Sequence, residues 1–371
     1  MIAEYSVGVP SIPPHPAPLQ APSGWNRWGR KLLVGLVLGY GMVIVALWAW
    51  MIWDGDRGWL GTVILFGPRW IFALPLPLLA LAAAVFRRWL LGPLALTALA
   101  IVFLLMGFQA HLPVSAATNS PLRVMTCNVN QDHFLKHGLL ELIEREKPDI
   151  VALQEVFYKT HFLWPPGWYV VNRDEFIVAS RFPVVEREPI SRIVPSSYIA
   201  VRFTVELPDR EIQVFNLHQV TPRSGLEALA NRHDGITEQG IERLESVLQR
   251  RAAEARKASQ WIAQFPGPKI VLGDFNMPIE SIIYQRSWSS LANAFSTVGN
   301  GFGFTKITEK AGWNYGSRID HILFNSEWRA LRCWVGTDVG SDHLPLLAEL
   351  ESSQSPVGQR ENGAAWENPR K

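Results

Sequence analysis

Asp274 and Asn276 stand two positions apart at the end of the apolar run 270–273. Side chains two positions apart on an extended segment point to the same face, so this carboxylate and this amide project together from the end of a buried strand. Such a pair suits an oxyanion or a hard metal ion. The same stretch also fits a strand followed by an Asx-type turn, and on its own it leaves both interpretations open.

Polar residues end four other apolar strands and add the same chemistry. A lone residue of this kind usually faces water, but several together indicate an active site, because loops at strand ends bring distant residues together. Asp320 differs, since it lies inside an apolar strand and a buried carboxylate needs a partner. We predict His343 as that partner, because an Asp–His pair fixes the imidazole tautomer and raises its basicity. The strand-end residues are Asn128, Glu155, His218, Asp342 and His343.

Charge and cysteine content exclude some functions. Residues 121–350 hold 25 lysines and arginines against 27 aspartates and glutamates, a net charge of −2. By bulk charge this part is not a basic nucleic-acid surface. Cys127 and Cys333 form neither a disulfide framework nor a zinc pattern, and both lie in strand-like runs that favour buried free thiols.

Three long apolar stretches precede residue 112, and the two outer ones carry no charge. Each is long enough to cross a hydrocarbon core of about 30 Å at about 1.5 Å per residue. Arg69 alone interrupts the middle stretch, where Pro75 and Pro77 could kink a membrane helix. We therefore predict a membrane domain over 31–112. Its transmembrane helices are predicted near 32–53, 62–86 and 89–110.

The charges beside these stretches predict their orientation. Basic residues lie before the first span and between the second and third, at Arg27, Arg30, Lys31, Arg87 and Arg88. The loop after the first span instead holds Asp54, Asp56 and one basic residue, Arg57. The positive-inside rule then places the N-terminus in the cytoplasm, and three spans place everything after residue 111 outside the cytoplasmic membrane.

The remaining chain alternates strands and helices over 121–350. Many strands with few helices between them favour a two-sheet sandwich covered by helices. The Pro-rich segment 1–30 and the polar segment 351–371 are predicted to be disordered. Predicted strands are 122–128, 150–153, 176–180, 200–206, 212–217, 269–272, 319–324 and 346–350, and predicted helices are 138–146 and 241–264.

Six short motifs in this order resemble the endonuclease/exonuclease/phosphatase superfamily, which has the deoxyribonuclease-I-like fold. The resemblance covers about 121–350, and the three-span N-terminus looks like that of bacterial membrane-anchored members. It implies an α/β fold, a four-layer α/β sandwich with two mostly antiparallel central sheets, preceded here by the three transmembrane helices. The motifs are Cys127–Asn130, Leu153–Glu155, Asn216–His218, Gly273–Asn276, Ile319–Ile322 and Ser341–Pro345.

The resemblance also implies a metal site. Glu155 would hold Mg²⁺ or Mn²⁺ with Asn128 beside it, and Asp342 would complete the shell of the metal or its water. A hard ion held by few carboxylates, waters and substrate phosphate is what Mg²⁺ prefers.

By the same resemblance, the other polar residues would act on water and phosphate. Asp274 would orient or deprotonate the attacking water, and Asn276 and His218 would contact phosphate oxygens. His343, oriented by Asp320, would bind or protonate the phosphate. Either Asp174 or Glu175 could orient His218, and the sequence leaves that choice open. His321, next to Asp320, should point to the opposite face and be structural.

These inferences favour a membrane-anchored, metal-dependent hydrolase of phosphodiester or phosphomonoester bonds. It would act on the periplasmic or extracellular side of a bacterial cytoplasmic membrane, with the lipid bilayer and a free or lipid-linked phosphate ester as partners. A nuclease of the same fold is the alternative, although the net charge does not favour nucleic acid. A non-catalytic anchored binding module is a second alternative, disfavoured because every candidate catalytic residue is present.

Overall fold

A computed structural model describes residues 27–114, 120–130, 138–157, 164–194, 197–230, 236–310 and 312–353. Disorder was predicted for 1–30 and 351–371. Residues 1–26 and 354–371, the larger part of those two segments, lie outside the described residues.

The described strands belong to the part of the chain after residue 120. They are β1 (Leu122–Asn128), β2 (Ile150–Gln154), β3 (Tyr169–Arg173), β4 (Phe176–Ser180), β5 (Val184–Ser191), β6 (Tyr198–Glu206), β7 (Glu211–His218), β8 (Lys269–Asp274), β9 (Ala292–Asn293), β10 (Lys306–Lys310), β11 (Trp313–Ser317), β12 (Asp320–Phe324), β13 (Trp328–Val335) and β14 (Leu346–Ser352).

The described α-helices fall into an N-terminal group and a group that covers the strands. The first group is α1 (Arg27–Trp53), α2 (Trp59–Phe66), α3 (Pro75–Phe86) and α4 (Leu91–Ala100). The second group is α5 (Gly138–Glu146), α6 (Arg223–Leu229), α7 (Glu238–Ala263), α8 (Ile282–Trp288) and α9 (Ala294–Val298).

Two six-stranded sheets form the centre of the second region. One has the order β13-β14-β1-β2-β4-β3, and the other β5-β6-β7-β8-β12-β9. Each sheet contains one parallel pair, β1 with β2 and β7 with β8. The other neighbouring strands in the two sheets pair antiparallel. Two mostly antiparallel sheets are therefore confirmed, and β10 pairs with β11 as a separate hairpin.

The apolar residues pack in three zones that separate four layers. Val124 of the first sheet and Phe203 and Leu272 of the second belong to the core between the sheets. On the outer face of the first sheet, Leu142 of α5 is buried in one cluster with that sheet's apolar residues. On the outer face of the second, Ala255 of α7 is buried likewise. The predicted four-layer α/β sandwich is confirmed.

Gly273 allows the parallel strands β7 and β8 to lie close together. Its φ is +145°, and a Cβ there would stand 1.9 Å from the carbonyl oxygen of Leu217. No side chain fits that space, so glycine is required where β7 and β8 end. Their register then sets His218 directly beside Asp274.

Three N-terminal helical segments are long and apolar enough to cross a membrane, over 27–53, 69–86 and 88–105. The second begins later than the predicted 62–86. The helix breaks at Gly67 and Pro68. Helix α2 ends at Phe66, because proline has no backbone N–H to continue a helix. Helix α2 therefore precedes the second candidate span as a separate element.

Candidate active site

The carboxyl ends of the two parallel strand pairs meet and bring together three predicted residues. Asn128, at the end of β1, donates from Nδ2 to Glu155 Oε1 at 2.8 Å and to Asp274 Oδ2 at 3.0 Å. The first sheet supplies Asn128 and Glu155, and the second supplies Asp274. One amide thus joins the two sheets at the point where their carboxylates converge.

Glu155 has an uncommon backbone conformation. Its φ is +58°, and that of Asn276 is +52°. Asparagine enters this left-handed region fairly readily, but glutamate does so at a cost of order 1–3 kcal/mol. Glu155 directly follows β2 and lines the cleft described below, so the strained turn places a carboxylate at the mouth of the site.

The predicted Asp320–His343 pair is formed. Nδ1 of His343 lies 2.9 Å from Oδ2 of Asp320, and both side chains are buried. Burial alone would lower the pKa of the imidazole, but the carboxylates of Asp320 and Asp274 outweigh burial and raise that pKa to about 9. His343 is therefore an imidazolium at neutral pH, and its Nε2–H can donate a proton or a hydrogen bond.

A second buried carboxylate orients His218. Nδ1 of His218 lies 3.0 Å from Oε2 of Glu175, which resolves the choice between Asp174 and Glu175. Asp174 instead takes a turn position with φ +49° between β3 and β4. Burial lowers the pKa of His218, but Glu175 and the other nearby carboxylates outweigh burial and raise it.

Asp274 lies between the two imidazoles. Its Oδ2 is 3.8 Å from Nε2 of His218 and 3.8 Å from Nε2 of His343. Burial, and then the nearby charge of Asp320, raise the pKa of the Asp274 carboxyl. A carboxylate with a raised pKa between two hydrogen-bond donors is suited to hold water and to accept a proton from it.

Asn276 supports Asp274 in this structure. Its backbone N–H donates to Asp274 Oδ1 at 2.7 Å, and its Nδ2 donates to Asp274 Oδ2 at 3.0 Å and to the Gln219 carbonyl at 2.9 Å. The predicted contact between Asn276 and a phosphate oxygen stays a prediction. The observed contacts orient the Asp274 carboxylate.

Asp342 lies in the same cleft but has a different partner. Its Oδ2 forms an ion pair with Nζ of Lys306, and Nη2 of Arg223 is 3.8 Å away. The predicted role of Asp342 at a metal stays a prediction.

The structural role predicted for His321 agrees with its position, because its buried ring contacts the carbonyl of Met277 at 2.8 Å and the side chain of Asn293 at 3.1 Å.

These residues open into a cleft of about 1320 Å³. Its walls include Arg192, Arg243 and Lys306, together with Phe66 from the N-terminal region. Sequence reasoning missed these wall residues, because no local motif marks them. Arg192 pairs with Glu175 and Glu254 at 3.6 and 3.1 Å, so it also steadies the carboxylate that orients His218.

The donor set fits a divalent cation. Glu155, His218 and Asp274 each offer one ligand atom, and these atoms lie within 4.8 Å of one another. Among the described residues, neither Glu155 nor Asp274 has a lysine or arginine within ion-pair distance. Two converging carboxylates beside imidazoles, with no lysine or arginine partner among the described residues, favour a cation, and their oxygens are ligands for a hard ion.

The two sheets and this acidic, histidine-lined cleft define an α/β-sandwich hydrolase of the nuclease and phosphatase class. The model of the Endonuclease/Exonuclease/phosphatase family matches residues 125–343, more than half of the chain. The chain belongs to this family, whose members use divalent metals, and the resemblance inferred from the six motifs is confirmed. The comparison with curated proteins found no match.

Several solved structures resemble this chain. Humanized TDP2 of D. rerio is 16% identical, with a TM-score of 0.48, covering 63% of this chain and 100% of its own. The 3'-5' exonuclease NExo of Neisseria meningitidis is 20% identical, with a TM-score of 0.47, covering 62% and 99%. An AP endonuclease of Archaeoglobus fulgidus is 16% identical, with a TM-score of 0.44, covering 61% and 98%. At these identities the likeness concerns the fold alone.

Proposed function

We propose that this protein is a membrane-anchored, Mg²⁺- or Mn²⁺-dependent phosphoesterase. The observation that carries the proposal is the arrangement around Asp274, where two imidazoles, each held by its own buried carboxylate, lie 3.8 Å from one oxygen atom. Two imidazole donors facing one carboxylate match the needs of phosphoester hydrolysis, which must activate water and stabilise negative charge on phosphate oxygens.

Each residue then has a stated task. Glu155 and Asp274, with Asn128 beside them, would hold the metal, which would stabilise charge on the phosphate as a Lewis acid. Asp274 also orients the attacking water. His218 donates to a phosphate oxygen. His343 donates its Nε2 proton to the leaving oxygen, while Asp320 stabilises the imidazolium.

The anchor is proposed to hold the cleft outside the cytoplasmic membrane. The loop after the first candidate span and the end of the third both contact the catalytic domain, since Asp56 accepts a hydrogen bond from Ser281 at 2.6 Å and Gln109 pairs with Gly301. Three spans put both on the same side of the membrane. The basic residues on the opposite side favour the periplasmic or extracellular side for catalysis.

A lipid-linked phosphate ester is the substrate that this placement favours. Trp70, at the start of the second candidate span, lies 5.2 Å from the ring of Trp313, which is 62% exposed at the end of the β10–β11 hairpin. Exposed tryptophans beside a span are typical of the membrane interface. Tyr315 of this hairpin lines both the catalytic cleft and a cavity of about 260 Å³ bounded by Trp70 and Met106.

A substrate panel tests the proposal on the full chain in phospholipid nanodiscs with Mg²⁺. Bis-nitrophenyl phosphate reports phosphodiesterase chemistry and DNA reports nuclease activity. A lipid phosphoester is compared with a short-chain analogue that has the same headgroup. We expect hydrolysis of bis-nitrophenyl phosphate and of the lipid phosphoester. The kcat/KM should be higher for the long-chain lipid than for its short-chain analogue. Hydrolysis of DNA alone would favour the nuclease, and no hydrolysis of any probe would reject the enzyme.

A further inference from the structure

The loop between the first two candidate spans packs into the catalytic domain. Asp56 is fully buried there. Its Oδ2 accepts a hydrogen bond from Ser281 Oγ at 2.6 Å, and its Oδ1 accepts one from the backbone N–H of Ile282 at 3.0 Å. A carboxylate at the first turn of a helix is stabilised by the helix dipole. Asp56 thus fixes the start of α8 from outside the catalytic domain.

A second contact reinforces this packing. Nη1 of Arg69, at the start of the second candidate span, lies 3.3 Å from Oε1 of Glu280 and donates to the carbonyl of Leu105 at 2.7 Å. The Arg69 and Glu280 side chains are only 11% and 13% exposed. One arginine therefore joins two candidate spans to the residue that precedes the Asp56 site.

Arg251 of α7 connects the two segments that leave β7 and β8. Its buried guanidinium donates from Nη1 to the carbonyl of Val220 at 2.6 Å and from Nη2 to the carbonyl of Asn276 at 2.9 Å. Val220 lies two residues after His218, and Asn276 two residues after Asp274. Because the guanidinium is planar and rigid, it holds both segments at a fixed separation.

Phe66, the last residue of α2, brings the N-terminal region into contact with Arg251. Its ring centroid lies 5.4 Å from Cζ of Arg251, and Phe66 also lines the catalytic cleft. Burial lowers the pKa of Arg251 to about 10, and the charges of Asp56 and Asp274 oppose this effect. The guanidinium stays charged at neutral pH. An aromatic face and a nearby carboxylate from the N-terminal region therefore stabilise this buried cation.

We propose that residues 54–66 are a functional part of the active site: Asp56 fixes this segment to the start of α8, Phe66 lies against Arg251, and Arg251 positions the segments after β7 and β8. Arg251 is a positioning residue for the phosphoesterase activity proposed above, on which this inference rests. A merely structural Arg251 would change stability and leave turnover of the folded enzyme unaltered.

Two neighbouring arginines provide a matched test in the full chain in nanodiscs. Arg251→Met should lower kcat for bis-nitrophenyl phosphate by roughly 10- to 100-fold, because a misplacement of about 1 Å can cost about 10²-fold, while KM changes little. Arg250→Met removes the adjacent arginine, whose Nε pairs with Glu254 at 3.1 Å, and should leave kcat near the parent value. Methylguanidinium should restore part of the turnover of Arg251→Ala.

The link to the anchor has its own test. Asp56→Asn should lower kcat several-fold although Asp56 lies outside the cleft walls, and it should add little to Arg251→Met, because both changes loosen the same support. If Arg251→Met does not fold, Arg251→Lys and Phe66→Leu replace it. Lysine keeps the charge but lacks the planar fork that bonds both carbonyls, and leucine removes the aromatic face that lies against Arg251. Unchanged kcat in the folded variants would overturn the inference.

Hydrogen exchange separates this inference from the proposed activity. Amides over 215–222 and 271–278 should exchange faster in Arg251→Met than in Arg250→Met, whether or not a substrate is known. If the parent protein hydrolyses no probe, the phosphoesterase proposal fails and exchange alone decides the positioning claim. Equal protection in the two variants would then refute it.

Discussion

Removing the charge of Asp320 should disable His343 by changing its protonation. The pKa of this imidazole is raised to about 9 with Asp320 and Asp274 as neighbours, so it is nearly all imidazolium at pH 7.5. In Asp320→Asn, we expect the pKa to fall to its ordinary value of about 6.5 or below, which leaves roughly a tenth protonated at pH 7.5. Protonation alone therefore predicts at least about a tenfold loss of turnover.

The larger part of the loss should appear when the imidazole is removed. His343→Ala should lower kcat by roughly 10²- to 10⁴-fold, the usual effect of losing a general acid. Because Asp320 acts through His343, the double variant should be little worse than His343→Ala alone. Asp338→Asn, an exposed aspartate of the same loop that accepts from the Gly340 N–H, is the matched control and should stay fully active.

The assay is the initial rate on bis-nitrophenyl phosphate with saturating Mg²⁺ between pH 6 and 10, beside thermal unfolding of each variant. The parent enzyme should keep its turnover up to about pH 9 and lose it above, as His343 loses its proton. In Asp320→Asn the decline should begin at lower pH. Strictly multiplicative losses in the double variant, with an unmoved alkaline limb, would refute the reasoning.

Three further predictions concern other parts of the fold. Glu175→Gln should lower kcat by about tenfold and add little to His218→Ala, which rates of the two single variants and the double variant check. The pKa of buried His321 is lowered to about 4, so the unfolded chain binds the extra proton between about pH 6.5 and 4. Stability should fall by roughly 3 kcal/mol as the pH drops through that window, whereas unfolding of His321→Gln should depend less on pH, and equal slopes would contradict this. Gly273→Ala should cost roughly 2–4 kcal/mol of unfolding free energy, against about 1 kcal/mol for Gly267→Ala, where a Cβ meets nothing within 4 Å.

The buried strands could be predicted from the sequence because they are apolar without interruption. The strands β2, β4 and β8 are fully buried. The strands β3, β5, β9, β10, β11 and β13 were missed. Of these, β3, β5, β9 and β13 are edge strands and β10 and β11 form a hairpin, and such strands face water and mix polar residues into their pattern. Pro189 in β5 also hides that strand from a pattern search.

The motif residues of the site were predictable because each ends or interrupts an apolar strand. Glu175 could not be chosen over Asp174, since only the tight turn between β3 and β4 decides which of the adjacent acids points inward. Arg251 is also marked as unusual by the sequence. It stands at helical spacing within the buried stripe of α7 formed by Leu244, Leu248, Arg251, Ala255, Ala258 and Ile262, and a charged residue in such a stripe needs a buried partner.

The most direct measurement of the central claim is metal-dependent turnover of the parent protein beside Glu155→Gln. This change keeps the size of the side chain and removes one of the two carboxylates that converge on Asn128. Activity on bis-nitrophenyl phosphate should vanish in excess chelator and return with Mg²⁺ or Mn²⁺. In Glu155→Gln it should be strongly reduced, with a raised metal requirement and unchanged thermal unfolding. Full activity of the parent protein in excess chelator, or an unaltered metal requirement in Glu155→Gln, would contradict a metal-dependent phosphoesterase built on this site.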